Sequence, residues 1–202
     1  LLGDEIISFK NAILLEEGKY KIDTIKRGLF GTEQFINTHT QTDRFVLLND
    51  NIVNIELPTS AINHNFVIKA VNYGYDIVNA DEIEINFAAN NLKPLSPINL
   101  EGEVQPNNDI IINWQRRTRQ NSYISASYLP IPLAETEEKY IIEVLDGADI
   151  IREILVFEPD FTYTESMQIT DFGGVQSAYS IRVSQVSARV GKGFASEAEI
   201  TI

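Results

Sequence analysis

The chain of 202 residues has no cysteine, a single methionine, a single tryptophan and two histidines. Without cysteine it can form no disulfide, zinc–thiolate site, iron–sulfur cluster or thiol nucleophile, and its redox compartment stays open. Uninterrupted apolar runs stop at four residues, as in Ala12-Ile13-Leu14-Leu15 and Ile154-Leu155-Val156-Phe157. That is far too short for a membrane-spanning helix. Basic residues are also scarce, 16 Lys and Arg against 29 Asp and Glu, for a net charge of −13. Such a field repels phosphate, so bulk nucleic-acid binding and adsorption to anionic membrane are not expected. There is no initiating Met and no basic-then-apolar leader, and the sequence reads as part of a longer chain.

An ordinary globular composition is present, 44% hydrophobic and 22% charged, which argues against disorder. No segment keeps a helical apolar stripe through three turns, whereas alternation with a period of two recurs from end to end. We therefore expect an all-β protein. The Asn pair and prolines of Asn90-Asn91-Leu92-Lys93-Pro94-Leu95-Ser96-Pro97 punctuate it, so two domains are expected, 1–92 and 93–202. Both halves are acidic. In the first, Tyr20–Asp23, Phe45–Leu48, Ile52–Leu57 and Phe66–Val71 read as strands of a small β-barrel or β-sandwich, with Thr32 as the cap of one helical turn. In the second, seven short strands fit a sandwich. They include Asp109–Trp114, a hairpin from Tyr140 through Asp146-Gly147 to Phe157, and Tyr179–Val183, with a further turn expected at Gly191-Lys192-Gly193.

From Pro97 onward the pattern resembles a fibronectin type III domain: Pro97 leading the first strand, Trp114 ending the second, then Tyr179-Ser180-Ile181-Arg182-Val183, Gly191-Lys192-Gly193 and Ser196. The resemblance implies that Trp114 fills the core and that the Tyr179 hydroxyl pins a corner. The stretch Arg116–Ala134 departs from the usual spacing.

A second resemblance runs along most of the chain. Tyr20-Lys21-Ile22-Asp23-Thr24-Ile25-Lys26-Arg27-Gly28-Leu29-Phe30-Gly31-Thr32-Glu33, then His39 and Phe45-Val46-Leu47-Leu48, are similar to the C-terminal region of the large baseplate hub proteins of gene transfer agents and related tailed phages. Leu92–Pro97, Trp114-Gln115-Arg116-Arg117-Thr118-Arg119 and Tyr140–Gly147 resemble the same family in the same order. This likeness implies a structural role at a tail tip, assembled in the bacterial cytoplasm. It also implies contacts to other tail proteins, fibres, or a host-surface glycan or receptor, and a homotrimer in the full-length protein. Gly28, Gly31 and Thr32 take structural roles in this reading, and no cofactor is implied.

His39 and His64 have no ligand-like spacing, and His39 is expected in a turn. Glu82 and Glu84 share a strand face, which is ordinarily a solvated side of a sheet. No Gly-x-Ser-x-Gly elbow occurs, and Val186 stands where a phosphate loop before Gly191-Lys192 needs glycine. No enzymatic activity is expected. The concentrated basic cluster Arg116, Arg117 and Arg119, with Tyr123 and Tyr128 nearby, is the candidate interaction surface. The competing expectation is local pairing of these arginines with acids such as Glu143 or Glu153. Phe30 and Phe35 flank the Gly31-Thr32 turn; Phe30 is expected to cap its own core rather than anchor a partner, and the apolar loop from Tyr123 to Leu133 is equally open to either role. An adhesive or carbohydrate-binding module of a cell-surface protein is the alternative class, and a glycan hydrolase with its catalytic part elsewhere a more distant one.

Overall fold

A computed structural model describes residues 1–119 and 131–202. The chain is nearly all β and divides into two compact units, Leu1–Pro58 and Thr59–Ile202. The expected boundary near residue 93 lies within the second unit, at the entry to the sandwich.

In the first unit, β1 (Ile6–Glu16) and β2 (Lys19–Leu29) form an antiparallel ribbon. The chain reverses at Glu17-Gly18, where Gly18 takes a φ of 74°, a left-handed value that glycine adopts without a Cβ clash. After a 3-10 turn at Glu33–Phe35 the chain returns. Leu1 and Val46 then exchange backbone hydrogen bonds of 2.8 Å, while Leu2 bridges Phe45. The Phe9 and Phe45 rings approach to 6.3 Å. Neither Phe45–Leu48 nor Ile52–Leu57 forms the expected strand, and among the described residues no barrel closes. The physical reason lies in burial. A barrel or sandwich needs an apolar interior, yet the buried residues of this unit are Glu5, Gly28 and Gly31. Phe30, expected in a core, is 82% exposed.

The second unit begins with a hairpin of β3 (Asn65–Lys69) and β4 (Glu82–Asn86). It continues into a sandwich of β5 (Ile98–Val104), β6 (Ile110–Gln115), β7 (Tyr140–Asp146), β8 (Asp149–Val156), β9 (Asp160–Tyr163), β10 (Ala178–Ser187) and β11 (Gly191–Thr201). One sheet has the order β5-β6-β9 and the other β11-β10-β7-β8, the strand arrangement of a fibronectin type III-like sandwich. Period-2 alternation sends Ile110, Ile112 and Trp114 inward from β6, Tyr140, Ile142 and Val144 from β7, and Tyr179, Ile181 and Val183 from β10. The sheets come close enough at Gly102 that an added Cβ would sit 2.3 Å from Ile200 Cγ2. The β10 pairing breaks between Ser184 and Val186, as the irregular alternation there suggests. The turn into β11 falls at 188–190, so Gly191-Lys192-Gly193 belongs to the strand rather than to the turn.

A helix unforeseen in the sequence, α1 (Glu165–Phe172), links β9 to β10. The Thr164 hydroxyl accepts from the Met167 amide at 3.3 Å, and Gly173 ends the helix at φ 77°. Arg152 binds Asp171 through two hydrogen bonds of 2.6 and 2.7 Å, and the Tyr163 hydroxyl donates to the same carboxylate at 2.8 Å. These bonds fasten α1 over the end of the core.

Candidate functional site

The Arg-rich connection after β6 is braced from within its own unit. Arg116 donates to Glu138 at 2.9 Å and, through Nε and Nη2, to the Ile131 carbonyl at 2.9 and 2.7 Å. The Tyr140 hydroxyl donates to the same Glu138 oxygen at 2.8 Å, and burial followed by this bond raises its pKa. Arg117 reaches Ser96 Oγ at 3.4 Å, and Arg119 pairs with Glu135. Local pairing was the competing expectation, but the acids are Glu138 and Glu135 rather than Glu143 or Glu153. Glu143 is buried between Lys192 and Arg182. Tyr123 and Tyr128 lie outside the described residues.

Trp114 and Tyr179 both lie in the buried core of the sandwich. Trp114 is buried edge-on to Tyr140, with ring centroids 5.1 Å apart. Tyr179 accepts at its hydroxyl from the Gln176 amide at 2.8 Å and donates to Gln168 Oε1 at 2.8 Å. Gln168 is fully buried and donates onward to the carbonyls of Asn108 and Tyr163, at 2.7 and 3.0 Å.

The most unusual chemistry lies in the first unit, around a residue the sequence reading passed over. Glu5 is fully buried and meets four donors. Arg27 Nε lies 2.8 and 2.9 Å from its two oxygens, Arg27 Nη2 donates at 2.7 Å and the Gly28 amide at 2.6 Å, while His39 Nε2 stands 2.6 Å away. The other ring nitrogen of His39, Nδ1, lies 2.7 Å from Asp43, which also accepts from the Thr40 hydroxyl at 2.7 Å. Arg27 additionally donates to the Ile36 carbonyl at 2.7 Å, tying β2 to the turn that follows.

Arg27, Gly28, Leu29, Gly31 and Thr32 of the Arg27–Thr32 string each have a part here. Gly28 takes φ 60°, and an added Cβ would lie 2.9 to 3.0 Å from Glu33 and Ile36, so only glycine brings its amide to Glu5. Gly31 takes φ 82° at the buried turn. The Thr32 hydroxyl accepts from the Ile6 amide at 3.0 Å and donates to the Leu29 carbonyl at 2.7 Å. It makes no capping hydrogen bond to the 3-10 turn, so its role is to join β1 to the end of β2. The Arg27 hydrogen bonds, helped by His39 and Gly28, outweigh burial and hold the Glu5 carboxyl down, to about 2. Asp43 and then Glu5 push the His39 pKa up. His39 is therefore one member of an ion cluster rather than a simple turn residue. In the sequence its only trace is the distance-coupled set Glu5, Arg27, His39 and Asp43, which no periodicity reveals.

Chemically this cluster holds structure together. Every oxygen of Glu5 is engaged, and among the described residues no group of three or more His, Asp or Glu is arranged to hold a metal ion. Glu82 and Glu84 are exposed on β4, where Glu82 pairs with Lys69.

The fold and this cluster define an all-β protein with one ion-clustered unit and one cored sandwich. Residues 1–46, the segment that contains the whole cluster, match the family described as "Rcc01698-like, C-terminal". The match spans less than a quarter of the chain. No curated protein matches the sequence. Among solved structures, the rat CD45 extracellular region, domains d3-d4, aligns at 13% identity over 81% of this chain and 78% of that one, with a TM-score of 0.39.

Proposed function

We propose that the chain is a non-catalytic structural part of a phage-like tail tip or baseplate, working through assembly, fibre attachment or contact with a host surface. The observation that carries this reading is the composition of the first unit's interior. Its 58 residues, Leu1–Pro58, bury no apolar side chain, while Ile13, Leu14, Leu15, Tyr20, Leu47, Leu48, Val53 and Ile55 are all exposed. A domain of that size ordinarily needs most of its apolar residues inside to offset chain entropy. Such a unit is suited to being completed by neighbours in an assembly. The family match over residues 1–46 supports the same reading, because it falls on the segment that resembles tail-hub proteins. The sandwich adds a rigid module carried behind that segment. Partners in this proposal are other tail or baseplate proteins and further copies of the chain as a trimer.

Immunogold electron microscopy on particles released by the source cells, with an antibody against this chain, tests the proposal. Label confined to the distal tip of tailed particles is expected. Label on the cell envelope, with tails bare, would overturn it in favour of an adhesive module. Incubation with peptidoglycan should give no soluble fragments, and clear turnover would remove the non-catalytic assignment.

A further inference from the structure

The position of His39 between two carboxylates has a consequence that does not depend on the assembly reading. Nε2 is 2.6 Å from Glu5 and Nδ1 is 2.7 Å from Asp43. A neutral imidazole carries one N–H and one lone pair, so it can donate to only one of these oxygens. At the other nitrogen the lone pair would face a carboxylate oxygen at hydrogen-bond distance. Both contacts are favourable only for the imidazolium, a donor at both nitrogens.

The two carboxylates are not equivalent once that proton is lost. Glu5 is fully buried and would have to remain charged with one donor fewer, whereas the Asp43 side chain is 18% exposed and can take up water in place of the ring. Glu5 keeps Arg27 and the Gly28 amide either way, but a ring lone pair 2.6 Å from its buried charge has no water to screen it, so the neutral ring keeps its N–H on Glu5 and releases Asp43. Asp43 sits where it controls the returning segment. An added Cβ on Gly3 would lie 2.8 Å from Asp43 Oδ2, the Gly3 amide donates to the Arg44 carbonyl at 2.9 Å, and the Val46 amide donates to Leu1 at 2.8 Å. Glu5 and Arg27, by contrast, stay joined at the base of the ribbon through the two-pronged pair and the Gly28 amide.

We propose that Glu5, His39 and Asp43 form a proton-operated clasp that docks the segment from Thr40 to Val46 against the amino-terminal residues, and that loss of the His39 proton frees this segment while the β1–β2 ribbon base stays closed. The groups facing His39 are Glu5 from the chain before β1, Arg27 on β2 through its shared carboxylate, and Asp43 with Thr40 from the returning loop. Both acids favour the charged ring, and Arg27 is spent on Glu5. The neighbouring Asp4 and Arg44 form no ion pair among the described residues.

The chain has two histidines, and His64, unlike His39, is exposed and meets the Ile62 carbonyl rather than a carboxylate. Proton–carbon NMR of the imidazole Cε1–H groups in the full chain follows both across an alkaline titration. His39 should titrate above the ordinary imidazole value, because the hydrogen bonds to Asp43 and then Glu5 favour its charged form. Exchange of the Gly3 and Val46 amides should speed up through the same midpoint while the Ile6 and Gly28 amides stay protected. Asp43→Asn should bring the His39 midpoint down, since the Asp43 hydrogen bond is the largest cause of its rise. Should that variant fail to fold, the wild-type titration still decides. A His39 midpoint that is not raised, or a raised one with no change at Gly3 and Val46, would overturn the proposal.

Discussion

Glu5 and Trp114 stabilise their units by opposite means, and the contrast sets what single substitutions should do. Trp114→Ala removes a buried indole that packs edge-on against Tyr140 of the facing sheet, and should cost about 3–5 kcal/mol, read as a lower denaturation midpoint of the sandwich. A near-native midpoint would mean that the core closes without it. Glu5→Gln leaves Arg27 and His39 facing an uncharged amide, and the ribbon amides of β1 and β2 should lose hydrogen-exchange protection while those of β7 and β10 keep theirs. The same residues give the first unit a bounded pH range. The Glu5 carboxyl titrates at about 2 in the fold, below its ordinary 4.5, so its contribution is whole above about pH 4.5 and is lost as pH falls through about 2. His39 is shifted the other way. Its contribution is whole below its ordinary 6.5 and is lost as pH rises through the raised value. Protection of the Gly3 and Val46 amides measured against pH should therefore be greatest between about 4.5 and 6.5, while the ribbon amides lose theirs only on the acid side.

Among the elements, β5 and α1 depend on small features that a hydrophobic pattern does not register. Gly102 lies on β5 where Ile200 of β11 packs directly over the backbone, so Gly102→Ala forces a Cβ into that side chain. Overpacking of this kind should cost about 1–3 kcal/mol in a thermal or urea melt of the chain. Helix α1 is held by Tyr179 through buried Gln168 and by Arg152 through Asp171. Tyr179→Phe keeps the ring contacts with Tyr163 and Phe172 but leaves the Gln168 carbonyl oxygen without its donor. A loss of about 1–3 kcal/mol is expected, with exchange rising first in α1. The helix was open to inference from Thr164 before it and Gly173 after it, but eight residues carry too few turns for a period of 3.6 to stand out against neighbouring strands.

At the scale of the whole molecule, burial separates a stretch with an apolar core from a stretch without one. The eleven buried residues that pack together all come from β6, β7, β9, β10 and β11. Limited proteolysis followed by mass spectrometry should accordingly leave a resistant fragment containing β5 to β11. Early cuts are expected at exposed Lys19 and Lys21 on the ribbon. Early loss of the sandwich with the ribbon intact would contradict this order of stability.

Alternation of apolar and polar side chains was enough to identify the all-β class and the strands that carry the inward set Ile110, Ile112, Trp114, Tyr140, Ile142, Val144, Ile181 and Val183. Strand periodicity is a local property, and a sandwich core is built from it directly. The special character of Gly28 and Gly31 was visible in the Arg27–Thr32 string, though not what they serve. Only the tertiary structure decided that Glu5, Arg27, His39 and Asp43 meet, because their pairing depends on chain reversals that bring residues 34 apart to 2.6 Å. It also decided that the apolar residues of the first unit stay outside. Hydrophobicity says that a side chain seeks cover, but whether its own unit supplies that cover depends on how many layers the chain builds there, and Leu1–Pro58 builds one.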